Sequence, residues 1–526
     1  MTSSYQNPIL PGFYPDPSCI LVGDTFYLAN SSFQFFPGIP IHKSKDLVNW
    51  KHIGNALCRP EQLRLDAATT KINNAAKGEI FTGGIYAPTL RHHNGIFYIV
   101  CTMLTGSTDM PPNVDFQPRN FIITAKDLED PMSFSDPIYF DFYGIDPSLF
   151  FEDDGRVYVQ GSWIHGYDKN PATVIRQAEI DLETGQLLSE ARDIWSGFSG
   201  KVPEGPHIYK KDGYYYLLAA EGGTHRRHMI TMSRSKDIWG PYESSSNNPV
   251  LTTAGPEACV QCVGHGDLFQ DLAGSWWVVM LARREYVNHT SFPLGRETFM
   301  APVEWPEGEF PSCASVEILQ ALDRPMEQKE TLSGQPVPVT LSSLSTLYLR
   351  SPDLSNYSAV GETISLKPTD TTLAAQAGAV TFVGQRQVSL DSIASVSLVL
   401  DGLWSGGSIS GLTIYKDPFR YVAFEYTSST SQLSLKLQAA GEPLTTIQSC
   451  YIENASSLQL SIRSSTEAYI FQYSQTDRKT GPTEMNTMGE VQSSLLSGDD
   501  FTGTVYAIYA SGRGGPVRFR QFNLQQ

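Results

Sequence analysis

The sequence predicts an all-β protein in which a five-bladed β-propeller is followed by a β-sandwich. Two features lead to this prediction: a turn followed by an aromatic strand recurs five times early in the chain, and short alternating strands fill the later part. Long runs with helical periodicity are missing, whereas strand-like segments bounded by Gly and Pro recur throughout. At 526 residues, the chain is also too long for one ordinary hydrophobic core.

Each of the five repeats places a Gly turn before β-branched and aromatic residues, which is a typical hairpin signal. The turn glycines are Gly23, Gly95, Gly155, Gly213 and Gly274. They are separated by 72, 60, 58 and 61 residues, a length that suits one four-stranded antiparallel sheet with its loops. We therefore expect the five blades to occupy residues 1–320.

The character of the sequence changes near residue 320. Residues 321–339 are rich in Pro, Gly and charged side chains, and we interpret them as a linker. From there on, Ser, Thr and Leu alternate in short strands such as 432–437 and 458–462. This pattern predicts a β-sandwich over residues 340–526.

The charge balance excludes several classes of partner. With 38 Lys and Arg against 55 Asp and Glu, the net charge is −17, which argues against nucleic acid and against an anionic membrane surface. An uncharged ligand is compatible with this charge. No stretch approaches 18 consecutive apolar residues, so we predict no membrane span.

The chain start and the cysteines carry weaker signals. The first residues have neither a basic nor an apolar signal-peptide region, so we expect a cytoplasmic protein, or a secreted one if a signal peptide has been removed. Seven cysteines, an odd number spread over the chain, do not form a disulfide framework. We interpret the Cys259 and Cys262 pair as buried thiols and not as a zinc site.

Ionisable residues recur at one position of the repeat. Counting back from the turn glycines reaches Asp16 after seven residues, and Asp146, Glu204 and His265 after nine each, with Tyr86 or Ala87 in the second repeat. We expect each to precede the first strand of its blade. Because first strands line the axis of a propeller, residues that are distant in sequence should meet there.

Three acidic residues at equivalent positions of the repeat indicate a catalytic site. A single Asp-Pro is usually a turn device, and a lone His is usually a hydrogen-bonded structural residue. Three clustered carboxylates repel one another, so at least one of their pKa values should be raised. A protonated acid opposite an ionised base is what cleavage of a glycosidic bond requires.

The motifs around these residues resemble glycoside hydrolase family 43, specifically its β-xylosidase and α-L-arabinofuranosidase members with a C-terminal β-sandwich. The matching segments are residues 7–10, 15–18, 36–38, 42–47, 83–88, 146–150, 204–207, 220–224, 264–266 and 294–298. The resemblance implies a five-bladed propeller, a sandwich of jelly-roll, concanavalin A-like type, and inverting hydrolysis. The implied function is exo-acting release of terminal β-D-xylosyl and/or α-L-arabinofuranosyl units from xylo-oligosaccharides or arabinoxylan fragments.

The resemblance also implies catalytic roles. Asp16 matches the general base, Glu204 the general acid, and Asp146 the carboxylate that orients the acid and raises its pKa. Arg296 matches the arginine of the terminal-sugar subsite. His265 matches a central histidine that in some members faces a divalent cation or its water shell. The resemblance implies no cofactor for the chemistry itself. It is compatible with a structural Ca²⁺ near His265 and leaves the requirement for a metal open.

The remaining implied site residues are aromatic. Phe33 matches one wall of the pocket, and Phe501 matches an aromatic loop that the sandwich inserts over it. Tyr86 stands where many β-xylosidases have Trp, which leaves the shape of that wall open. The segment 161–167 also departs from the pattern and is expected to border the leaving-group side.

Several alternatives stay open from the sequence. One is a retaining fructan or sucrose hydrolase of similar architecture, and another is a non-catalytic sugar-binding protein. Xylose and arabinofuranose are not distinguished. The expected partner is a neutral oligosaccharide, without nucleic acid or membrane, and a homo-oligomer is compatible with the sequence.

Overall fold

The computed structural model describes residues 3–73, 79–106, 116–166, 169–322, 334–402 and 406–526. These residues form β-strands and three short 3₁₀ helices, Pro131–Ser133, Leu354–Asn356 and Ser493–Leu496. No α-helix occurs among them, and thus none that is long and apolar enough to span a bilayer. Residues 323–333, the centre of the predicted linker, lie outside the described residues.

The first part of the chain folds into five antiparallel sheets of four main strands each, which we number as blades 1 to 5. Blade 1 contains Ser18–Val22, Thr25–Ala29, Gly38–Ser44 and Lys51–Leu57. Blade 2 contains Thr89–His93, Ile96–Gly106, Phe116–Ala125 and Ile138–Phe140, with Gly84–Ile85 added beside the second strand. Blade 3 contains Gly144–Phe151, Val157–Ile164, Thr173–Glu179 and Arg192–Trp195. Blade 4 contains Glu204–Lys211, Tyr214–Glu221, Met229–Ser235 and Glu243–Ser244, with Leu251–Thr252 beside the third strand. Blade 5 contains Val260–Gln270, Trp276–Arg284, Glu297–Glu304 and Ser312–Cys313.

The first strands of the five blades contact one another in a closed ring, each touching the first strands of two neighbours. In every blade, the predicted turn glycine lies between the first and second strands. The strand Ser3–Gln6 pairs with Leu319–Leu322, so the beginning and the end of this part of the chain lie together. The prediction of a five-bladed propeller is confirmed.

A buried polar cluster links four of the inner strands. The Asp267 carboxylate is fully buried and accepts hydrogen bonds from Arg91 Nη1 at 2.8 Å, Ser18 Oγ at 2.6 Å and Tyr209 OH at 2.6 Å. Burial opposes ionisation, but Arg91 outweighs it and the pKa of Asp267 falls to about 2. These bonds hold the strands of blades 1, 2, 4 and 5 in register around the axis.

The later part of the chain is a β-sandwich. One sheet contains Val337–Pro338, Tyr357–Val360, Thr363–Leu366, Ser392–Val399, Ala455–Ser464, Ala468–Asp477, Gly481–Pro482, Asn486–Gln492 and Val517–Gln525. The facing sheet contains Thr381–Arg386, Ile409–Asp417, Arg420–Thr427, Gln432–Gln438, Thr445–Tyr451 and Val505–Ser511. Alternate side chains of both sheets fill a shared core, as the period of two predicts.

Two further short ladders lie outside these sheets. Thr70–Asn73 pairs with Glu79–Thr82, and the second of these strands places Ile80 and Phe81 at the candidate site. Phe35–Phe36 of the propeller pairs with Tyr348–Leu349 of the sandwich. The two parts of the chain therefore share backbone hydrogen bonds next to Phe33.

Candidate active site

The structure brings all eight predicted site residues to one pocket at the end of the propeller axis. They are Asp16, Phe33, Tyr86, Asp146, Glu204, His265, Arg296 and Phe501. The sandwich contributes Phe501 and Asp499 to this lining, and the propeller contributes the ionisable groups of the floor.

Irregularities in the inner strands aim the ionisable side chains at the pocket. Asp146, Glu204 and His265 lie within the first strands of their blades and not before them, which corrects the sequence expectation. The register shifts between Ile145 and Ser148, at Glu204, and around His265. A β-bulge leaves a residue unpaired and redirects its side chain, and it has no signature in composition. Asp146 and His265 accordingly have φ of 53° and 44°, in the left-handed region.

Asp16 is fixed by two neighbours. Its carboxylate accepts a short hydrogen bond from the Ser31 hydroxyl, and its Oδ1 lies 3.7 Å from His265 Nδ1. The preceding backbone is held by Asn30, whose Nδ2 donates to the carbonyls of Tyr14 at 2.9 Å and Pro15 at 3.0 Å. Asp16 also has a positive φ of 53°. This local structure holds the carboxylate in one orientation toward the pocket.

Asp146 and Glu204 differ in their affinity for a proton. Burial raises the pKa of Asp146 well above its usual range, and the negative charges of Glu204 and Asp16 raise it further. Burial also opposes ionisation of Glu204, but His228, His265 and Arg296 together lower its pKa. The sequence predicted at least one raised pKa among the three carboxylates. In the free protein the raised pKa is that of Asp146, whereas the pKa of Glu204, the expected acid, is lowered.

Arg296 lies between the carboxylates of the pocket and the Phe501 ring. Its Nη2 donates to the Thr224 carbonyl at 3.0 Å, and its guanidinium lies over the Phe501 ring, 4.8 Å from the centroid. Burial lowers its pKa, while the charges of Asp16 and Glu204 oppose that shift. A buried planar fork of donors beside two carboxylates suits the hydroxyl groups of a sugar.

Aromatic rings form one wall of the pocket. The ring of Phe501 stacks on Phe33 with centroids 5.4 Å apart and planes inclined by 12°. It also meets the edges of Tyr86 at 5.8 Å and Phe81 at 6.0 Å. Tyr86, at the position left open by the sequence, donates its hydroxyl to the Thr82 carbonyl at 3.2 Å. The Phe501 loop of the sandwich thus lies against the propeller wall.

His228 is a site residue that the sequence reasoning missed. Its ring is fully buried, Nε2 lies 3.6 Å from Glu204 Oε1, and Nδ1 donates to the Cys262 carbonyl at 3.3 Å. A Cβ at Gly264 would overlap this ring, so the glycine makes room for it. A single histidine just before a strand, here Met229–Ser235, has no sequence feature that separates this role from an ordinary core position.

The segment 161–167 is placed in part. Ile164, at the end of the second strand of blade 3, lines the pocket. Residue 167 lies outside the described residues. Val202, Thr224 and His225 also line the pocket, and none of them was predicted as a site residue, although Thr224 ends the matching segment 220–224.

The residues near His265 do not form a ligand set for a cation. Burial lowers the pKa of His265, and its Nδ1 lies 3.7 Å from Asp16 Oδ1. Within the described ranges, no group of three or more His, Cys, Asp or Glu side chains could hold a metal ion. The Ca²⁺ implied by the resemblance therefore gains no support from the side chains, and no chemical step is derived through it.

Comparison with known families and proteins agrees with this geometry. The model described as "Glycosyl hydrolases family 43" matches residues 5–311. The model described as "Beta xylosidase C-terminal Concanavalin A-like domain" matches residues 343–525.

Similar proteins cover both sugar specificities. A non-reducing end alpha-L-arabinofuranosidase of Bacteroides ovatus is 42% identical over 324 residues, which is 60% of this chain and 55% of that protein. A xylosidase/arabinosidase of Butyrivibrio fibrisolvens is 44% identical over 312 residues, 58% of this chain and 55% of that protein. The matched part thus spans about half the length of these relatives. The solved structure of a xylan beta-1,4-xylosidase from Bacillus halodurans C-125 is 29% identical, with a TM-score of 0.86, and covers 99% of this chain and 100% of its own.

Proposed function

The chain belongs to glycosyl hydrolase family 43, and we propose that it is an exo-acting, inverting glycoside hydrolase. Its proposed products are terminal β-D-xylosyl and/or α-L-arabinofuranosyl units released from xylo-oligosaccharides or arabinoxylan fragments. The observation that carries this proposal is the convergence of Asp16, Asp146 and Glu204 in one pocket with aromatic walls.

In the proposed reaction, Asp16 is the general base and Glu204 the general acid. Asp16 takes a proton from a water molecule, whose oxygen attacks the anomeric carbon of the terminal sugar. Glu204 gives its proton to the glycosidic oxygen as the bond to the leaving group breaks. The Ser31 hydroxyl and His265 hold the base in its orientation toward the pocket.

Asp146 is proposed to govern the proton of the acid. Asp146 and Glu204 influence each other's ionisation, and the backbone N–H of Gly205 donates to the Asp146 carboxylate. When Asp146 is ionised, its charge makes Glu204 hold a proton more tightly. The pair can therefore retain one proton at a pH at which an isolated glutamate would have lost it.

The shape of the pocket supports exo action. Phe501 of the sandwich stacks on Phe33 of the propeller and lies under Arg296, so the pocket is bounded on that side. A terminal sugar can enter such a pocket, whereas a chain that continues in both directions would meet this boundary. Arg296 is the proposed partner of the sugar hydroxyl groups.

The other possibilities from the sequence receive less support. The family match does not favour a retaining fructan or sucrose hydrolase or a non-catalytic binding protein. We propose a neutral oligosaccharide as the partner, and no step of the proposed chemistry needs a metal.

Parallel assays test the proposal. The 4-nitrophenyl glycosides of β-D-xylose and α-L-arabinofuranose are incubated with the wild type and with an Asp16→Asn variant as the inactive control. We expect hydrolysis of at least one glycoside by the wild type, and NMR of the first sugar formed should show inverted anomeric configuration. Product of retained configuration would contradict the inverting mechanism, and hydrolysis of neither glycoside would contradict the proposed activity.

A further inference from the structure

We propose that Asp500 is a specificity-determining positioning residue, which fixes Phe501 over the terminal-sugar site through ion pairs with Arg420 and Lys416 of the sandwich. This inference rests on the proposed function and deepens it, because it assigns to the sandwich the boundary that makes the action exo. None of the three charged residues touches the pocket.

The ion pairs of Asp500 are built into the end of one hairpin. Lys416 and Asp417 end the strand Ile409–Asp417, and Arg420 begins the strand that pairs with it. Lys416 Nζ lies 3.0 Å from Asp500 Oδ1, and Arg420 Nη2 makes a close ion pair with Asp500 Oδ2. The guanidinium is itself oriented by Asp417, whose Oδ2 accepts from Arg420 Nε at 2.9 Å.

All of these groups are withdrawn from water. Lys416 and Asp417 are fully buried, Asp500 is 3% exposed and Arg420 4%. Burial and the charge of Arg420 lower the pKa of Lys416 well below its usual range, so Arg420 is the stronger cationic partner of Asp500. Breaking a buried pair by removing one partner leaves an uncompensated charge, which is why such a contact determines position strongly.

The backbone next to Asp500 shows that the fit is specific. A Cβ at Gly498 would overlap the Arg420 guanidinium, so this glycine allows the close approach. On the other side of Phe501, the Thr504 N–H donates to the Pro293 carbonyl at 2.9 Å. Phe501 is therefore held between an anchor in the sandwich and an anchor in the propeller loop that carries Arg296.

Asp499 gives the loop a separate contact with the propeller. Its Oδ1 accepts from Arg283 Nη1 at 2.7 Å, and Arg283 belongs to the second strand of blade 5. Consecutive acids thus bind opposite parts of the chain, Asp499 the propeller and Asp500 the sandwich. Because Asp499 lines the pocket and Asp500 does not, Asp500 is the position at which the anchor can be removed without altering the lining.

A double-mutant cycle between Asp500 and Phe501 tests the proposal. The variants are Asp500→Asn, Phe501→Ala and the double variant, and the measured quantities are KM, kcat and the inhibition constant of the released sugar. We expect Asp500→Asn to raise KM and the inhibition constant about threefold or more, with a smaller change in kcat. In the Phe501→Ala background, Asp500→Asn should change neither KM nor the inhibition constant, because the effects of residues that act through one another are not additive.

Glu425→Gln is the matched control. Glu425 is a buried acid of the same sheet, paired with Lys436 at 2.6 Å, and it does not line the pocket. Its substitution should lower the melting temperature but leave KM unchanged in both backgrounds. Lys416→Met is a second test that leaves the Arg420 pair in place, and it should give a smaller rise in KM that also vanishes without Phe501.

The outcomes separate this inference from the proposed function. Equal effects of Asp500→Asn in the presence and absence of Phe501, or an unchanged KM in a folded variant, would overturn the positioning role. If Asp500→Asn does not fold, the same comparison is made with Lys416→Met in the presence and absence of Phe501. Equal effects on KM in the two backgrounds, or an unchanged KM, would again overturn the positioning role. If the wild type hydrolyses neither glycoside, the proposed function fails, and the same cycle is then measured by calorimetry with D-xylose and L-arabinose as the ligands. Additive losses of affinity, or no binding of either sugar, would reject the positioning role in that case.

Discussion

Replacing Asp146 by Asn removes one carboxylate from the buried site while almost preserving its size. The Asn oxygen can still accept the hydrogen bond that the Gly205 N–H donates to Asp146. Asn also resembles the protonated form of Asp, which is the form that burial and the charges of Glu204 and Asp16 favour. The substitution therefore mainly removes the free-energy cost of ionising residue 146 in the folded protein.

The sign of the stability change follows from the raised pKa. Between the ordinary value of 3.8 and the higher folded value, the folded protein holds a proton that the unfolded chain has released. The free energy of unfolding of the wild type consequently falls as the pH rises through this window. The Asn variant lacks this fall. We expect it to be more stable than the wild type at neutral pH, by about 1.4 kcal/mol for each pH unit that the window spans.

Activity should change in the opposite direction. Without the negative charge of Asp146, Glu204 loses its proton more easily, so the basic limb of the kcat/KM profile should move to lower pH and turnover should slow. The assays are urea unfolding at pH 4, 5.5 and 7, and pH–rate profiles on an unactivated xyloside. The gain in stability should disappear at about pH 4 and below.

Asp267→Asn provides a control of opposite sign. Asp267 is also buried, but its pKa is lowered to about 2 by Arg91, so its ionised form stabilises the fold above the ordinary pKa. Its substitution should therefore destabilise the protein at neutral pH. If Asp146→Asn were no more stable than the wild type at pH 7 and the basic limb were unmoved, the assignment of a raised pKa to Asp146 would be refuted.

Three further predictions concern the other site residues. Glu204→Gln should lose several orders of magnitude in kcat/KM on glycosides with poor leaving groups and much less on activated aryl glycosides, and equal losses on both would contradict its role as the acid. Asp16→Asn should abolish turnover for all leaving groups while sugar binding remains measurable by calorimetry. Azide should restore activity and give a product of inverted configuration. A covalent glycosyl-enzyme seen by mass spectrometry would make Asp16 a nucleophile instead. Phe501→Ala should weaken binding of the terminal sugar by about 1 to 3 kcal/mol. Because its ring is partly buried against Phe33, Tyr86 and Phe81, we expect a moderate loss of folding stability below the roughly 3 to 5 kcal/mol of a core Phe; a large drop in melting temperature with normal KM would remove it from the site.

The blades were predictable from the sequence because their signal is local and repeated. A turn such as that at Gly213 needs a residue with positive φ next to an aromatic strand, and five copies at similar spacing exceed what chance supplies. The convergence of Asp16, Asp146 and Glu204 followed from the same repetition. Their placement within bulged strands did not, because a bulge depends on pairing between strands and leaves no mark in composition.

Contacts that occur once in the chain were not predictable. The approach of His228 to Glu204 joins two segments of blade 4 and depends on the absence of a side chain at Gly264 of blade 5. The ion pair of Asp500 with Arg420 joins residues 80 positions apart, with no repeat to indicate it. These contacts determine which carboxylate holds the proton and where the aromatic wall stands, so the sequence predicted the members of the site better than their electrostatic balance.

The electrostatic balance between Asp146 and Glu204 affects how the binding of a neutral sugar can start the reaction. In the free site, Arg296 and His228 favour the ionised form of Glu204, and the raised pKa of Asp146 makes it the preferred holder of the proton. A bound sugar expels water from the pocket and engages the donors of Arg296, and both effects make an ionised Glu204 less favourable. We therefore expect the proton to shift toward Glu204 when the sugar binds. Glu204 would then be protonated beside the leaving group. The negative charges of Asp146 and Asp16 would stabilise the positive charge that develops on the sugar ring.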